Sequence, residues 1–332
     1  MPVSIRPARP EDRPAIERIC AHTWEWGDYI PEVWDDWLAE GTRGGGDALV
    51  GEVDGLVVAL SKVTRQSPDE VWLEGMRVDP DYRQRGIAGQ FLEYSLAYAR
   101  DLGAQVARLG TSDHNVAVHK MVSRAGMSRI GSYGLRQAEP LPGGPEGVFL
   151  TLEHSEQVQA FLAGSPVMTY GGGLYSVDWG WQALSTERLS QFLAQGKLMA
   201  QLGPDGSLVA MASVHPNSEE GEVWVGFASG QPPAVTGLAA TVRVYASQLG
   251  LKKVQVMLPD LAWLRDAFHA AGYGCGDWEG ELWIFERWLV DQPAAGGRAG
   301  LEVASNPGTN AGQSSHPPLS LSTRSRGGNG GG

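Results

Sequence analysis

Two short words recur in this 332-residue chain at nearly the same interval, and they restrict its architecture more than any other feature. Glu70-Val71-Trp72 returns as Glu222-Val223-Trp224, 152 positions on. Ser123-Arg124-Ala125-Gly126-Met127 is matched by His269-Ala270-Ala271-Gly272-Tyr273, 146 positions on. A register that nearly holds over such a distance points to one domain plan used twice. The length agrees, since about 100–200 residues per domain leaves room for two domains and a remainder. A hydrophobic share of 42% is enough to bury a sizeable core.

Element types alternate in residues 1–140. Val3 to Arg6 reads as a strand, and Glu11 to Cys20 as a helix with Ala15, Ile16 and Ile19 at helical spacing and Pro14 in its first turn. Ala48 to Val53 and Leu56 to Thr64 are strands joined by Asp54-Gly55, a strong hairpin signal. Val71 to Val78 is a strand stopped by Asp79-Pro80, Gly86 to Leu102 a helix, Gln105 to Gly110 a strand, and Asn115 to Ala125 a helix closed by Gly126. In residues 150–290 the plan repeats. Strands Leu198 to Leu202 and Leu208 to Val214 flank Pro204-Asp205-Gly206, and strands and helices then alternate through Val223–Phe227, Ala234–Leu249, Lys253–Leu258 and Leu261–Ala271. The order predicts an α/β fold with a mixed sheet, antiparallel first and with a β-α-β crossover later. Residues 291–332 are rich in Gly, Ser, Pro and Asn; such a segment cannot bury enough to offset its ordering entropy and is expected to be disordered.

Composition removes several function classes. The formal net charge is −12, against the basic footprint of a nucleic-acid binder and against adhesion to anionic membranes. Two cysteines, Cys20 and Cys275, give neither a disulfide scaffold nor a Cys-rich zinc site, and the seven histidines are scattered, so no metal is expected. Residues 1–13 have no apolar leader, and the uncharged run Val223 to Val242 contains Pro232-Pro233. The expectation is a soluble cytoplasmic protein with no membrane partner; the oligomeric state is not legible.

The chemistry concentrates in Glu74-Gly75-Met76-Arg77-Val78-Asp79-Pro80-Asp81-Tyr82-Arg83-Gln84-Arg85-Gly86-Ile87-Ala88-Gly89, a strand, a turn and a glycine-bearing helix start. A helix N-terminus offers unpaired N–H groups and partial positive charge. Gly86 and Gly89 leave that backbone uncovered, and Arg83 and Arg85 add full charges. The sum suits a diphosphate. On spacing alone the same residues serve equally as a solvated basic turn.

Arg83-Gln84-Arg85-Gly86-Ile87-Ala88 resembles the coenzyme A pyrophosphate loop of the GNAT acetyltransferase superfamily, whose pattern is Arg or Gln, two residues, Gly, one residue, Gly or Ala. Val78 to Arg83 fits as well, and Asn115…Ala125-Gly126-Met127 resembles the family's final helix. The similarity spans roughly Val3 to Tyr133. The second copy resembles the degenerate half of tandem members, since Gly226 to Val235 lacks the loop pattern. The resemblance implies a catalytic domain over 1–140 and a degenerate GNAT-like domain over 150–290. It implies acetyl-CoA as co-substrate, with the backbone of Met76 and Val78 on its pantetheine arm and the amides of Gln84, Arg85, Gly86, Ile87, Ala88 and Gly89 on its diphosphate beside Arg83. Asn115 would lie near the thiol; its other reading is a helix N-cap.

Acetyl transfer to an amine needs a proton acceptor, because an alkylamine is mostly ammonium at neutral pH. Glu74 matches the position of a base in many superfamily members; the alternative is a structural ion pair with Arg77 or another cation. The family often carries a tyrosine where Val122 stands, which leaves Tyr133 or solvent as the acid. His114 reads as a proton shuttle or as a solvated loop residue. Trp24 to Leu38 holds four tryptophans and five carboxylates, over what is the acceptor cleft in this fold. Trp34 and Trp37 sit at helical spacing and read as core or interface, whereas Trp26, Asp28 and Tyr29 read as recognition for a cationic amine. Gly27 to Pro31, Trp37-Leu38 and Glu74 to Val78 together resemble the vertebrate histidine N-acetyltransferases. The expected activity is acetylation of a small primary amine such as an amino acid. The rivals are a peptide or protein amine acetyltransferase and a non-catalytic acyl-CoA-binding sensor.

Overall fold

The computed structural model describes residues 2–290 except 22, 24–26, 145–146 and 277. The expected tail, 291–332, lies outside the described residues. The chain begins β1 (Ser4–Pro7), α1 (Arg13–Cys20), α2 (Ile30–Thr42), β2 (Gly46–Val53), β3 (Leu56–Arg65), β4 (Glu70–Val78), α3 (Ile87–Asp101), β5 (Val106–Ser112) and α4 (Val116–Arg124). Asp54 and Gly55 both take positive φ, 52° and 79°, the backbone shape that lets a two-residue turn follow the twist of its strands. β4 and β5 run parallel, and α3 makes the crossover that parallel pairing requires.

The chain continues through β6 (Ser128–Ala138), β7 (Val148–Phe149), α5 (Ser155–Ala163), α6 (Pro166–Tyr170), β8 (Leu174–Val177), β9 (Gly180–Ala183), α7 (Thr186–Ala194), β10 (Leu198–Leu202), β11 (Leu208–Asn217), β12 (Glu222–Gly230), α8 (Pro232–Gln248), β13 (Lys253–Pro259), α9 (Ala262–Ala270) and β14 (Glu281–Trp288). Among the described residues, no helix is long and apolar enough to cross a membrane.

Two units emerge, and neither is a single run of sequence. The first takes residues 1–109, 116–128 and 285 onward. Its strands follow the order β1-β2-β3-β4-β5-β14, antiparallel through β4 and parallel from β4 to β5. One sheet face meets α1 and α2, where Ile16, Ile19, Ile30, Trp34 and Trp37 pack on Ala48, Val50, Val57 and Leu60. Side chains alternate between faces along a strand, so neighbouring Gly51 looks the other way, under Phe91 of α3. Trp34 and Trp37 are thus core residues, as their helical spacing predicts.

The second unit takes residues 110–115 and 129–284. Its strands follow β14-β6-β13-β12-β11-β10-β7, with a separate β8-β9 hairpin. Val235, Leu238 and Val242 of α8 and Leu264 and Phe268 of α9 pack on Val223, Val225, Val254 and Val256. Leu189, Phe192 and Leu193 of α7 pack with Leu198, Met211 and Phe227.

The recurring words occupy equivalent places. Glu70 is in register with Val106 and Trp72 with Arg108; Glu222 is in register with Lys253 and Trp224 with Gln255. In the first unit, Arg108 donates from Nη1 to Glu70 and from Nε to Glu286, each at 2.7 Å. In the second, Gln255 donates to Glu222 and accepts from Gln137. Both networks hold a buried glutamate, paired with Arg108 in the first unit and with Lys253, 3.0 Å away, in the second, where glutamine takes the place of the buried arginine.

Arg108 is 1% exposed and holds two buried carboxylates. Arg108→Met removes the guanidinium that both carboxylates share, and losing one partner of a buried ion pair costs about 3–5 kcal/mol. Urea unfolding of the variant is expected to show a midpoint lowered accordingly; an unchanged midpoint would mean that the triad contributes nothing.

Candidate active site

β4 parts company with β5 early. Their parallel ladder covers only Glu70–Trp72 against Val106–Arg108, yet β4 runs on to Val78. On its other side, β4 stays paired with β3, where the register slips by one residue between Glu74 and Arg77. Gly75 lies in this bulge with φ +69°, and a Cβ there would overlap the Trp37 ring. A bulge increases local twist and turns the strand, here with a backbone shape and a close approach that only glycine accommodates. Asp79 donates its N–H to Val58 at 2.8 Å, so by antiparallel alternation the N–H and C=O of Val78 point away from β3. That edge faces the opening.

The turn after β4 is internally braced. Asp79 accepts from the Asp81 N–H at 3.0 Å, Arg83 Nε donates to the Val78 carbonyl at 3.1 Å, and Arg85 Nη2 donates to the Asp81 carbonyl at 2.8 Å. The Arg85 guanidinium lies over the Tyr82 ring, 4.9 Å from its centre. Gln84 takes φ +61° and Gly86 φ +76°. A left-handed residue that is not glycine is strained, and such strain gathers at ligand-clamping turns. Successive N–H groups in this geometry converge into an anion-binding concavity. The amides of Gln84, Arg85, Gly86, Ile87, Ala88 and Gly89 find no acceptor among the described residues.

All of these residues except Arg85 border a cavity of about 570 Å³. Its walls are Val78, Tyr82, Arg83, Gln84, Gly86–Gly89 and the Glu93 carboxylate of α3 on one side, with Ala117, Lys120, Met121, Arg124 and Ala125 at α4 on the other. A Cβ built on Gly86 or Gly89 meets nothing within 4 Å. Neither glycine is needed for packing within the chain; their bareness keeps the cavity open. The donors and the cations fit a diphosphate-bearing cofactor. Lys120 and Arg124 are four residues apart and each three residues after Ala117 and Met121, a spacing that puts them on one helix face and that the sequence analysis did not single out. Val122, by contrast, is fully buried in the core. The cavity-facing positions of α4 carry no tyrosine.

Glu74 lies on the face of the sheet that meets α2. Its carboxylate accepts a hydrogen bond from the Thr64 hydroxyl and sits 3.8 Å from Lys62 Nζ. Burial pushes its pKa above the usual carboxylate range, opposed by Lys62 and Thr64 and aided by the charge of Glu40. Of the ion-pair partners that the sequence left open, Arg77 or another cation, the one beside Glu74 is Lys62. Arg77 is held by Asp28 instead, with Nε 2.7 Å from Oδ2 and Nη2 3.3 Å from Oδ1. The Asp28 side chain is fully buried, and its Oδ1 also accepts from the Ile30 N–H at 3.2 Å. Both oxygens are engaged, so Asp28 orders Arg77 and offers no open carboxylate to an amine. Tyr29 packs edge-on against Trp37 with centroids 6.2 Å apart, and burial together with the charge of Glu74 raises its phenol pKa.

The other anticipated residues are distributed differently. Trp26 lies outside the described residues. Met76 sits in the bulge, its carbonyl accepting from Arg77 Nη1 at 3.1 Å. Asn115 and Tyr133 belong to the second unit. Asn115 precedes α4 and donates to Thr111 at 3.2 Å; Tyr133 is buried, with its ring 5.0 Å from that of Trp181. His114 is exposed beside Asp113. No cluster of three or more metal-ligating side chains occurs among the described residues.

The second unit closes off the equivalent features. Its α8 opens with Pro232-Pro233, and proline has no N–H to offer an anion. Beyond Val225, where β12 leaves β13, the chain fills its own opening. Trp224 Nε1 donates to Ser176 of β8 at 3.2 Å, and a Cβ on Gly226 would collide with Ser213 and the Ser176 carbonyl. Buried His215 stands beside Ser213, its pKa lowered to about 3 by burial.

Residues 13–127 match the Acetyltransferase (GNAT) family. Set against the curated proteins, the chain has no match. Among solved structures, it resembles a GCN5-related N-acetyltransferase from Sphaerobacter thermophilus, with a TM-score of 0.58 at 16% identity over 86% of this chain and 96% of that one. It also resembles a tandem GNAT protein from the clavulanic acid biosynthesis pathway, with a TM-score of 0.51 at 12% identity over 88% of this chain and all of that one. The splayed strand and the turn of unpaired amides lie within residues 13–127, the segment that matches the Acetyltransferase (GNAT) family, and the chain as a whole has the fold of tandem GNAT structures.

Proposed function

We propose that the first unit transfers the acetyl group of acetyl-CoA to the primary amine of a small molecule. The observation that carries this reading is the run of unpaired amides from Gln84 to Gly89 beside an open cavity. Acetyl-CoA supplies the activated thioester. The amides, with Arg83, Lys120 and Arg124, bind its phosphates, since backbone donors at a helix start and nearby cations favour anions. The backbone of Val78 pairs with the amide groups of the pantetheine arm, as a strand would. Glu74 accepts a proton from the ammonium through water, with its carboxylate basicity raised by burial. Tyr29 and the carboxylates of Glu40 and Glu74 recognise a cationic acceptor. The likeness of Gly27 to Pro31, Trp37-Leu38 and Glu74 to Val78 to the histidine N-acetyltransferases supports an amino acid as that acceptor. The second reading is a non-catalytic acyl-CoA-binding sensor, favoured by the lack of a tyrosine on the cavity face of α4.

Calorimetry with acetyl-CoA, followed by thiol release across amino acids and polyamines, separates these readings. Saturable binding with turnover of one amine class is the expected result, binding without turnover across the panel favours the sensor, and no binding overturns both. Gly89→Val fills open space, so the variant is expected to keep its unfolding temperature and to lose at least about tenfold in acetyl-CoA affinity, roughly 1.4 kcal/mol. Unaltered affinity would remove the loop from the site. Glu74→Gln is expected to lower kcat/KM about 10²–10⁴-fold. In the parent protein, the acid limb of the pH profile is expected above the ordinary glutamate value of about 4.3, because only ionised Glu74 accepts the proton. A Glu74→Gln variant that retains full activity and that limb would show the base to lie elsewhere.

A further inference from the structure

Lys62 is a buried cation where packing alone calls for an apolar side chain. It is on β3, directly across from Glu74, on the face covered by α2. Its side chain is 4% exposed. The ammonium is 2.5 Å from Glu40 Oε2 of α2 and 3.8 Å from Glu74 Oε1, and lies 5.0 Å from the centre of the Trp37 ring. Burying an ammonium is expensive, and a buried ion pair is often no more stabilising than an apolar replacement. Stability therefore gives no reason for Lys62, whereas the chemistry at Glu74 does.

Resting on the reading of Glu74 as the base, we propose that Lys62 is a positioning residue that holds the Glu74 carboxylate on the sheet and sets its proton affinity, with Glu40 competing for the same ammonium. The groups around Glu74 are few. β3 contributes Lys62 and the Thr64 hydroxyl, and α2 contributes Glu40. Tyr29 stays a neutral phenol, and Arg77 of β4 is engaged by Asp28. The closer the ammonium lies to Glu40, the less it does for Glu74. Glu40 is also more exposed than Glu74, with side chains 38% and 28% accessible. A cation entering beside Glu40 would draw on that carboxylate and release Lys62 toward Glu74. The string of carboxylate, ammonium and carboxylate thus couples what binds at the rim to the proton affinity of the base.

The test is a carbon-13 NMR titration of the full chain labelled at the glutamate carboxyl carbon, with the Glu74 signal assigned by its loss in Glu74→Gln. Lys62→Met removes a neighbouring opposite charge and is expected to raise the Glu74 midpoint by about one pH unit or more. Glu40→Gln removes a like charge and frees the ammonium, so it is expected to lower the midpoint. Lys62→Arg keeps the charge and is expected to return the midpoint close to the parent value. Opposite shifts in the first two variants support the proposal; no shift in Glu40→Gln, or a shift upward, overturns it even if Lys62→Met fails to fold. The acid limb of kcat/KM for the amine turned over is measured in parallel. A limb that tracks the NMR midpoint supports both claims. Midpoints that move while the limb stays fixed uphold Lys62 as the partner of Glu74 and reject Glu74 as the base.

Discussion

Helix α3 begins with backbone donors that the rest of the first unit does not satisfy, and the site is organised around that fact. An unsatisfied N–H is tolerable only where water or a ligand reaches it. The braces around the turn keep it so. Arg83 and Arg85 spend hydrogen bonds on the carbonyls of Val78 and Asp81, which fixes the turn without covering its amides. Gly86 and Gly89 carry no side chain to cover them, and α4 stands across the cavity with Lys120 and Arg124. The bulge at Gly75 turns β4 away from β5, so the strand edge at Val78 opens on the same space. Each of these features would be a defect in a domain built for stability alone.

The sequence was legible where local chemistry decides structure. Asp54-Gly55 declared a hairpin because the turn needs two positive φ values, and Arg83 to Gly89 declared a tight turn before a helix with uncovered amides because charges and glycines were contiguous. Strands β10 to β13 and helices α8 and α9 were readable from their periods. The pieces without a counterpart in that reading, such as β6, β14 and the β8-β9 hairpin, are short or strongly mixed in polarity, and their partners are distant in sequence. Side-chain pairing was harder still. Asp28 and Arg77 are 49 positions apart, and nothing local says that this carboxylate meets that guanidinium. Lys62 and Glu40 were invisible for the same reason, because each is an ordinary charged residue until α2 is laid on β3.

The two units show how one plan supports different ends. Their strand registers agree at Glu70, Trp72 and Arg108 and at Glu222, Trp224 and Gln255. They differ where the first has unpaired amides and the second has two prolines. They differ again where the first leaves its strand edge at Val78 beside the cavity and the second packs Ser176, Ser213 and His215 against it. Loss of the loop was readable as a missing pattern. The filling of the opening was not, because it depends on a hairpin folding back over β12.

The first unit is completed by residues from 285 onward. Glu286 holds Arg108, Arg287 donates to the Ala125 carbonyl at the end of α4 at 2.6 Å, and the Leu289 N–H reaches Gln105 at 2.7 Å. During synthesis the ribosome must therefore deliver residues as late as Arg287 before the end of α4 is anchored. The half that is made first matures last, and its nascent form must wait, with Arg108 short of a partner, while all the intervening strands are translated.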